Sequence, residues 1–194
     1  VTVDTDVLIL INQLDDNDID VRQAAKRMLI NIGEPATEQL IEAMYALRGK
    51  RCWEAASILS QIGTPAARQA LSKMLVSPNI MVSQIAASAV ARWGMTDTLL
   101  AALPETHGMV QLKIVDGLEK IADPRAVAPL RVLLHTTDSP ALRSASIQAL
   151  GVLGGPELIA DIEPYVDDAD HHVRKRASVA LERLRSLLNL SDTA

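Results

Sequence analysis

Phenylalanine is missing from this 194-residue chain, and aromatic residues make up only 2% of it: Tyr45, Trp53, Trp93 and Tyr165. A core without many large rings must be filled by aliphatic and small side chains, and hydrophobic residues, rich in Ala and Leu, supply 48% of the sequence. Such residues suit close helix-to-helix packing and have high helix propensity. Cysteine occurs once, at Cys52, which excludes an intrachain disulfide framework and a cysteine-cluster metal site. Apolar stretches such as Val7 to Ile11 are short, and none approaches the roughly 20 residues of a membrane span. A basic excess is also lacking: the net charge of −5 argues against a generic nucleic-acid binder. No signal peptide is legible, and the start at Val1 rather than Met is compatible with processing or with a cut from a longer protein. The single cysteine fits a reducing compartment, and the expected location is the cytoplasm.

What is present is a repeat. Ile32-Gly33, Ile62-Gly63, Trp93-Gly94, Ile121-Ala122 and Leu153-Gly154 recur about every 30 residues, with Leu184-Arg185 in phase. Eleven residues before each anchor stands Val21, Arg51, Val82, Val110, Leu142 or Val173. Breakers fall in phase as well. Gly33-Glu34-Pro35, Gly63-Thr64-Pro65, Asp123-Pro124 and Gly155-Pro156 each end one apolar-periodic segment and start another. A second set, at Asp15-Asn17, Arg48-Gly49, Ser77-Pro78, Pro104-His107, Thr136-Pro140 and Asp167-Asp170, lies half a period away. A period of this length with two helical segments per copy predicts an all-α solenoid. The expectation is twelve helices in six pairs, spanning roughly 1–33, 34–63, 64–94, 95–122, 123–154 and 155–188, within one continuous domain over 1–194.

Counting each second helix from the residue eleven before its anchor, positions 0, +4, +7, +8 and +11 share one apolar arc. In the third pair these are Val82, Ala86, Ala89, Val90 and Trp93. Arg51 stands at a core position, so its stem lies along the apolar face or Cys52 replaces it by a small rotation. Gly117, inside its helix, gives up about 1 kcal/mol relative to Ala and would admit a close neighbour.

Asp20-Val21-Arg22-Gln23-Ala24-Ala25, Leu142-Arg143-Ser144-Ala145 and Asp170-His171-His172-Val173-Arg174-Lys175-Arg176-Ala177 resemble HEAT-like repeats, specifically the phycobilisome-lyase (PBS lyase) subtype. The resemblance covers essentially the whole chain. It implies a right-handed α-α superhelix whose second helices line the concave side. It also implies a bilin lyase subunit or phycobilisome-processing factor as one function, with a bilin or phycobiliprotein as partner.

A different stripe, at −1, +2, +3, +6 and +10, would then be the concave surface. Its central members are Trp53, then Met81, Gln84, Ile85 and Arg92, then Met109, Leu112 and Lys113. Apolar residues rimmed by polar ones mark binding surfaces, and Trp is a favoured anchor. The last helix adds a basic patch, His172, Lys175, Arg176 and Arg183, suited to an acidic partner, a phosphate or a bilin propionate, although a solvated terminal helix would look the same.

Catalytic chemistry finds little support. Arg22, Arg143 and Arg174, each near aspartates, read as a structural ladder across turns, and Asp15-Asp16 and Asp167-Asp168 read as caps. Cys52 beside Lys50 and Arg51 suits a thiolate but reads more simply as a small packed residue. His107, His135, His171 and His172 lack ligand spacing, and no His-Glu dipeptide occurs, where the HEAT-like di-iron hydroxylases use several. We therefore expect a non-catalytic HEAT-repeat scaffold that binds a protein through its concave face, with no metal and no cofactor. A DNA-binding HEAT protein is the reading least favoured by the acidic balance.

Overall fold

The computed structural model describes residues 3–46 and 49–191, and all regular structure among them is helical. Among the described residues, twelve α-helices form six pairs. They are α1 Val3–Gln13 and α2 Ile19–Ile32; α3 Thr37–Tyr45 and α4 Gly49–Ile62; α5 Pro65–Lys73 and α6 Ile80–Arg92. The remainder are α7 Thr96–Ala102 and α8 Gly108–Ile121; α9 Val127–Thr136 and α10 Pro140–Leu153; α11 Ile159–Ile162 and α12 His171–Ser191. The chain divides between Trp93 and Gly94 into two compact units, each holding three pairs. Arg48, part of one expected break, lies outside the described residues; Gly49 opens α4.

Polar caps start the helices where the sequence breaks. Asp18 accepts from the Asp20 amide, Asn79 from Met81 and Val82, and Ser139 from Leu142. Asp170 takes the amides of His172 and Val173 at 2.8 and 3.2 Å. Each cap satisfies amides that have no partner within the first helical turn. The sixth pair departs from the expected helix lengths: α11 has four residues, flanked by 3-10 turns at Pro156–Leu158 and Glu163–Asp167. Pro164 has no amide hydrogen to donate and its ring clashes with the preceding turn, so a longer first helix cannot form there.

The apolar arc is the core in both units. Val82, Ala86, Ala89 and Val90 are buried, as are Val173, Ala177, Ala180, Leu181 and Leu184. Two details correct the sequence reading and a third decides between its alternatives. The anchors Ile32, Ile62, Trp93, Ile121 and Leu153 are only half-buried, because they sit in the last turn where the chain leaves the core. Met28, at core position +7, is 53% exposed, whereas its counterparts Ile58, Ala89, Gly117, Ala149 and Ala180 are all buried. At Arg51 the rotation wins: Cys52 is buried, while the Arg51 guanidinium reaches Asn12 Oδ1 at 2.8 Å.

Candidate binding surfaces

In the first unit, Trp53, Gln84 and Ile85 are half-buried and Met81 is 51% exposed. Two neighbours on the stripe are committed to the structure. Glu54 is buried, and Lys26 Nζ meets its Oε2 at 3.0 Å and donates to Ser57 Oγ at 3.0 Å, which ties α2 to α4. Arg92 is exposed, but its Nη2 donates to the Ser60 carbonyl at 2.7 Å, where the last turn of α4 leaves oxygens without helical partners. Glu54, which stands at stripe position +3, is therefore a tie between pairs.

In the second unit the stripe lines two adjoining grooves. Met109, Leu112 and Lys113 of α8 face Ala145 and Gln148 of α10 across a groove of about 470 Å³. Ala141, Ser144 and Ala145 then form one wall of a groove of about 640 Å³, with His172 and Arg176 of α12 opposite. Met109 is 56% exposed, Leu112 half-buried and Lys113 exposed. Gln148 Nε2 donates to both carboxylate oxygens of Glu119, at 2.8 and 2.9 Å, which joins α8 to α10 between the grooves. Lys175 and Arg183 are exposed on the same helix as His172 and Arg176.

Of the three arginines expected to form a ladder across turns, Arg143 alone reaches the next turn, and Arg22 and Arg174 bind carbonyls of their own turn. Arg22 Nη1 donates to the carbonyls of Asp16 and Asn17 at 2.7 and 2.9 Å. Arg174 Nη1 likewise grips the carbonyls of Asp168 and Ala169 at 2.7 and 2.9 Å. Arg143 holds the Asp138 carbonyl at 3.2 Å and makes a two-pronged contact with the Asp168 carboxylate, at 2.9 and 3.2 Å, thereby linking successive turns. Gln111 performs this task in α8, donating to the Leu103 carbonyl at 3.1 Å. The nearby aspartates mostly cap backbone amides: Asp16 Oδ1 accepts from Asp18, and Asp168 Oδ1 from Asp170, each at 2.8 Å.

Cys52 is a packed side chain. The Asn79 amide donates to its Sγ at 3.2 Å, and burial pushes the thiol above its ordinary pKa, which disfavours the thiolate. Among the described residues, no group of three or more His, Cys, Asp or Glu is placed to hold a metal ion. One polar cluster escaped the sequence reading. His135 Nε2 lies 3.2 Å from Asp161 Oδ1, Arg131 Nη2 donates to the same oxygen at 2.9 Å, and the Tyr165 hydroxyl donates to the Leu134 carbonyl at 3.1 Å. Its members come from successive pairs, so no local motif announces them.

Stacked helix pairs with capped turns and a shared apolar arc define a helical-repeat protein. A family model of HEAT repeats matches residues 7–91 and 96–186, and the chain belongs to that family. Deoxyhypusine hydroxylase of Drosophila pseudoobscura pseudoobscura is 28% identical over 92 residues, covering 47% of this chain and 30% of that protein. The chain thus spans under a third of the length of this curated relative. Among solved structures, an engineered protein is similar with a TM-score of 0.57 and 21% identity, over 93% of this chain and 97% of its own. A designed armadillo repeat protein is similar with a TM-score of 0.55 and 20% identity, over 92% and 99% respectively. These likenesses bear on the fold. No helix among the described residues is long and apolar enough to cross a membrane.

Proposed function

We propose that this chain is a non-catalytic HEAT-repeat scaffold that captures a protein partner on the outward face of its second helices, the side that the family resemblance makes concave. The observation that supports this reading most is the exposure of Met81 and Met109, at the same repeat position in successive pairs, each beside half-buried apolar residues. Exposed thioethers on one stripe with Trp53 and Ile85 in one unit, and with Leu112 in the other, offer adaptable apolar area that a partner would remove from water. Gln84 and Lys113 supply a polar rim. The cytoplasm is the proposed place of action, on the strength of the lone cysteine.

The test is co-purification from the native source, with the wild-type chain and a Trp53→Ala, Met81→Ala variant compared side by side. Loss of a specific protein with the variant, at unchanged helicity, supports the reading. Equal capture by both chains overturns it. A bilin or phycobiliprotein partner rests on the repeat subtype alone and has its own check: an absorbance change on mixing with phycocyanobilin.

A further inference from the structure

We propose that the groove between α10 and α12 docks an acidic, amphipathic helix of a partner protein; this rests on the reading that partners bind the outward face of the second helices. The chain carries a net charge of −5, yet the stretch from His171 to Leu187 holds Arg174, Lys175, Arg176, Arg183 and Arg185 against the single carboxylate Glu182. Two of these cations are already committed. Arg174 holds turn carbonyls, and Arg185 Nη2 donates to Glu163 Oε1 at 3.0 Å. Lys175, Arg176 and Arg183 are exposed and make no ion pair among the described residues.

These three residues share a line along the helix. At 100° per residue, Lys175, Val179, His172, Arg183 and Arg176 fall within an arc of about 100°, and the strip from 172 to 183 runs about 16 Å. Val179, between the cations, is 54% exposed. Of this strip, His172 and Arg176 line the groove, opposite the small residues Ala141, Ser144 and Ala145, which leave room for another helix to lie close, and Lys175, Val179 and Arg183 continue the strip along α12 beyond the groove. Asp170 also borders the groove, but its Oδ1 is engaged by the His172 and Val173 amides.

Charge alone would also suit nucleic acid or an anionic lipid surface. The aliphatic Val179 in the middle of the strip favours a peptide, since it calls for an apolar partner flanked by carboxylates. The rest of the molecule, being acidic, repels extended polyanions. Arg176 and Arg183 stand about two helical turns apart, so the matching ligand is a helix with carboxylates two turns apart and an aliphatic residue midway.

The probe is a fluorescein-labelled helical peptide with glutamates at that spacing and leucine between them, read by fluorescence anisotropy. Wild-type chain should bind it, with affinity falling as salt rises. A Lys175→Glu, Arg176→Glu variant should weaken binding roughly ten-fold or more, and Lys175→Gln, Arg176→Gln by less, with circular dichroism confirming intact helices. A glutamine-for-glutamate peptide should not bind. The proposal fails if wild-type and charge-reversed chains bind the peptide equally, if both peptides bind alike, or if duplex DNA or phosphatidylserine vesicles bind at least as tightly. Failure of every peptide arm, with native capture still dependent on Trp53 and Met81, removes the acidic-helix site and leaves the scaffold reading standing.

Discussion

Gly151 of α10 lies directly against Ala180 of α12: a Cβ built on Gly151 would stand 2.8 Å from Ala180 Cβ and 3.2 Å from its Cα. The contact shows what core position +7 does. Ala180 occupies that position in the sixth pair and faces Gly151 of the fifth, so the surface of α10 is shaped to receive α12. A helical glycine in that place is a packing requirement, since alanine would otherwise be favoured by about 1 kcal/mol.

Gly151→Ala is therefore expected to destabilise the chain despite its better helix propensity, by about 1 kcal/mol or more, because overpacking costs about 1–3 kcal/mol. Adding Ala180→Gly removes the obstructing methyl and should recover part of the loss through coupling of the two sites. Urea unfolding of the two single variants and the double variant checks this. A stabilised Gly151→Ala chain would mean that the helices can move apart without loss.

Ala122 ends α8 in the left-handed conformation, at φ 57° and ψ 36°, and its amide donates to the Leu118 carbonyl. Gly33 and Gly63 end α2 and α4 with φ of 69° and 65°, at no Cβ penalty. Ala122→Gly should accordingly raise stability by about 0.5–1 kcal/mol, which for a chain of this size is about 1–4 °C in Tm. Differential scanning calorimetry decides it; an unchanged or lower Tm contradicts the argument.

The pairs were legible because core spacing and breakers agree in phase. Val82, Ala86, Ala89 and Val90 were placed inward by counting alone, and all are buried. Met28 satisfied the same count but is exposed, and the cover that Ala180 receives at position +7 comes from Gly151 of another helix, which a count within one helix does not contain. Glu54 stands at stripe position +3 yet is buried, paired with Lys26, 28 residues earlier, which no local pattern contains. The His135, Asp161 and Arg131 contacts span 26 and 30 residues, beyond any local pattern. The two grooves of the second unit are lined partly by stripe residues of α8, α10 and α12 and partly by Glu119, Ser139, Pro140 and Asp170, which lie off the stripe. Which side chains would be consumed internally, such as Arg92 on the Ser60 carbonyl, depends on neighbouring helices and could not be read.

Acid should weaken the fold in a defined window. The Arg125 guanidinium and amide lower Asp123 to about 2 from 3.8. Burial pushes Asp168 up, but the Asp170 amide and Arg143 guanidinium outweigh it, and its carboxyl lies below 3.8. Asp161 is also lowered, with Arg131 and His135 overcoming burial. All three bind protons more weakly folded than unfolded, so their stabilisation is complete above about pH 4 and is lost as pH falls towards 2. Urea midpoints at pH 6, 4, 3 and 2 should fall mainly across the last three values. Asp168→Asn should lower the midpoint at pH 6 and make the acid decline shallower; a decline as steep as wild type would show that this carboxylate contributes nothing to it.

Trp53 decides how much of the apolar patch in the first unit is open to a partner. It is half-buried, and so is Trp93, which lies beneath the Arg68 guanidinium at 5.2 Å from the ring centroid. Emission must therefore be read in a Trp93→Tyr variant, whose remaining indole is Trp53. Partial accessibility predicts acrylamide quenching intermediate between that of the folded core and that of the urea-unfolded chain, and protection on binding a partner. Truncating an interfacial Trp commonly costs about 2 kcal/mol, near thirty-fold in affinity, so Trp53→Ala alone should weaken capture measurably and Met81→Ala should add to it. An indole fully shielded in the free chain would make Trp53 a packing residue. The same truncation would then lower the urea midpoint, whereas an anchor exposed on the second-helix face leaves the midpoint nearly unchanged.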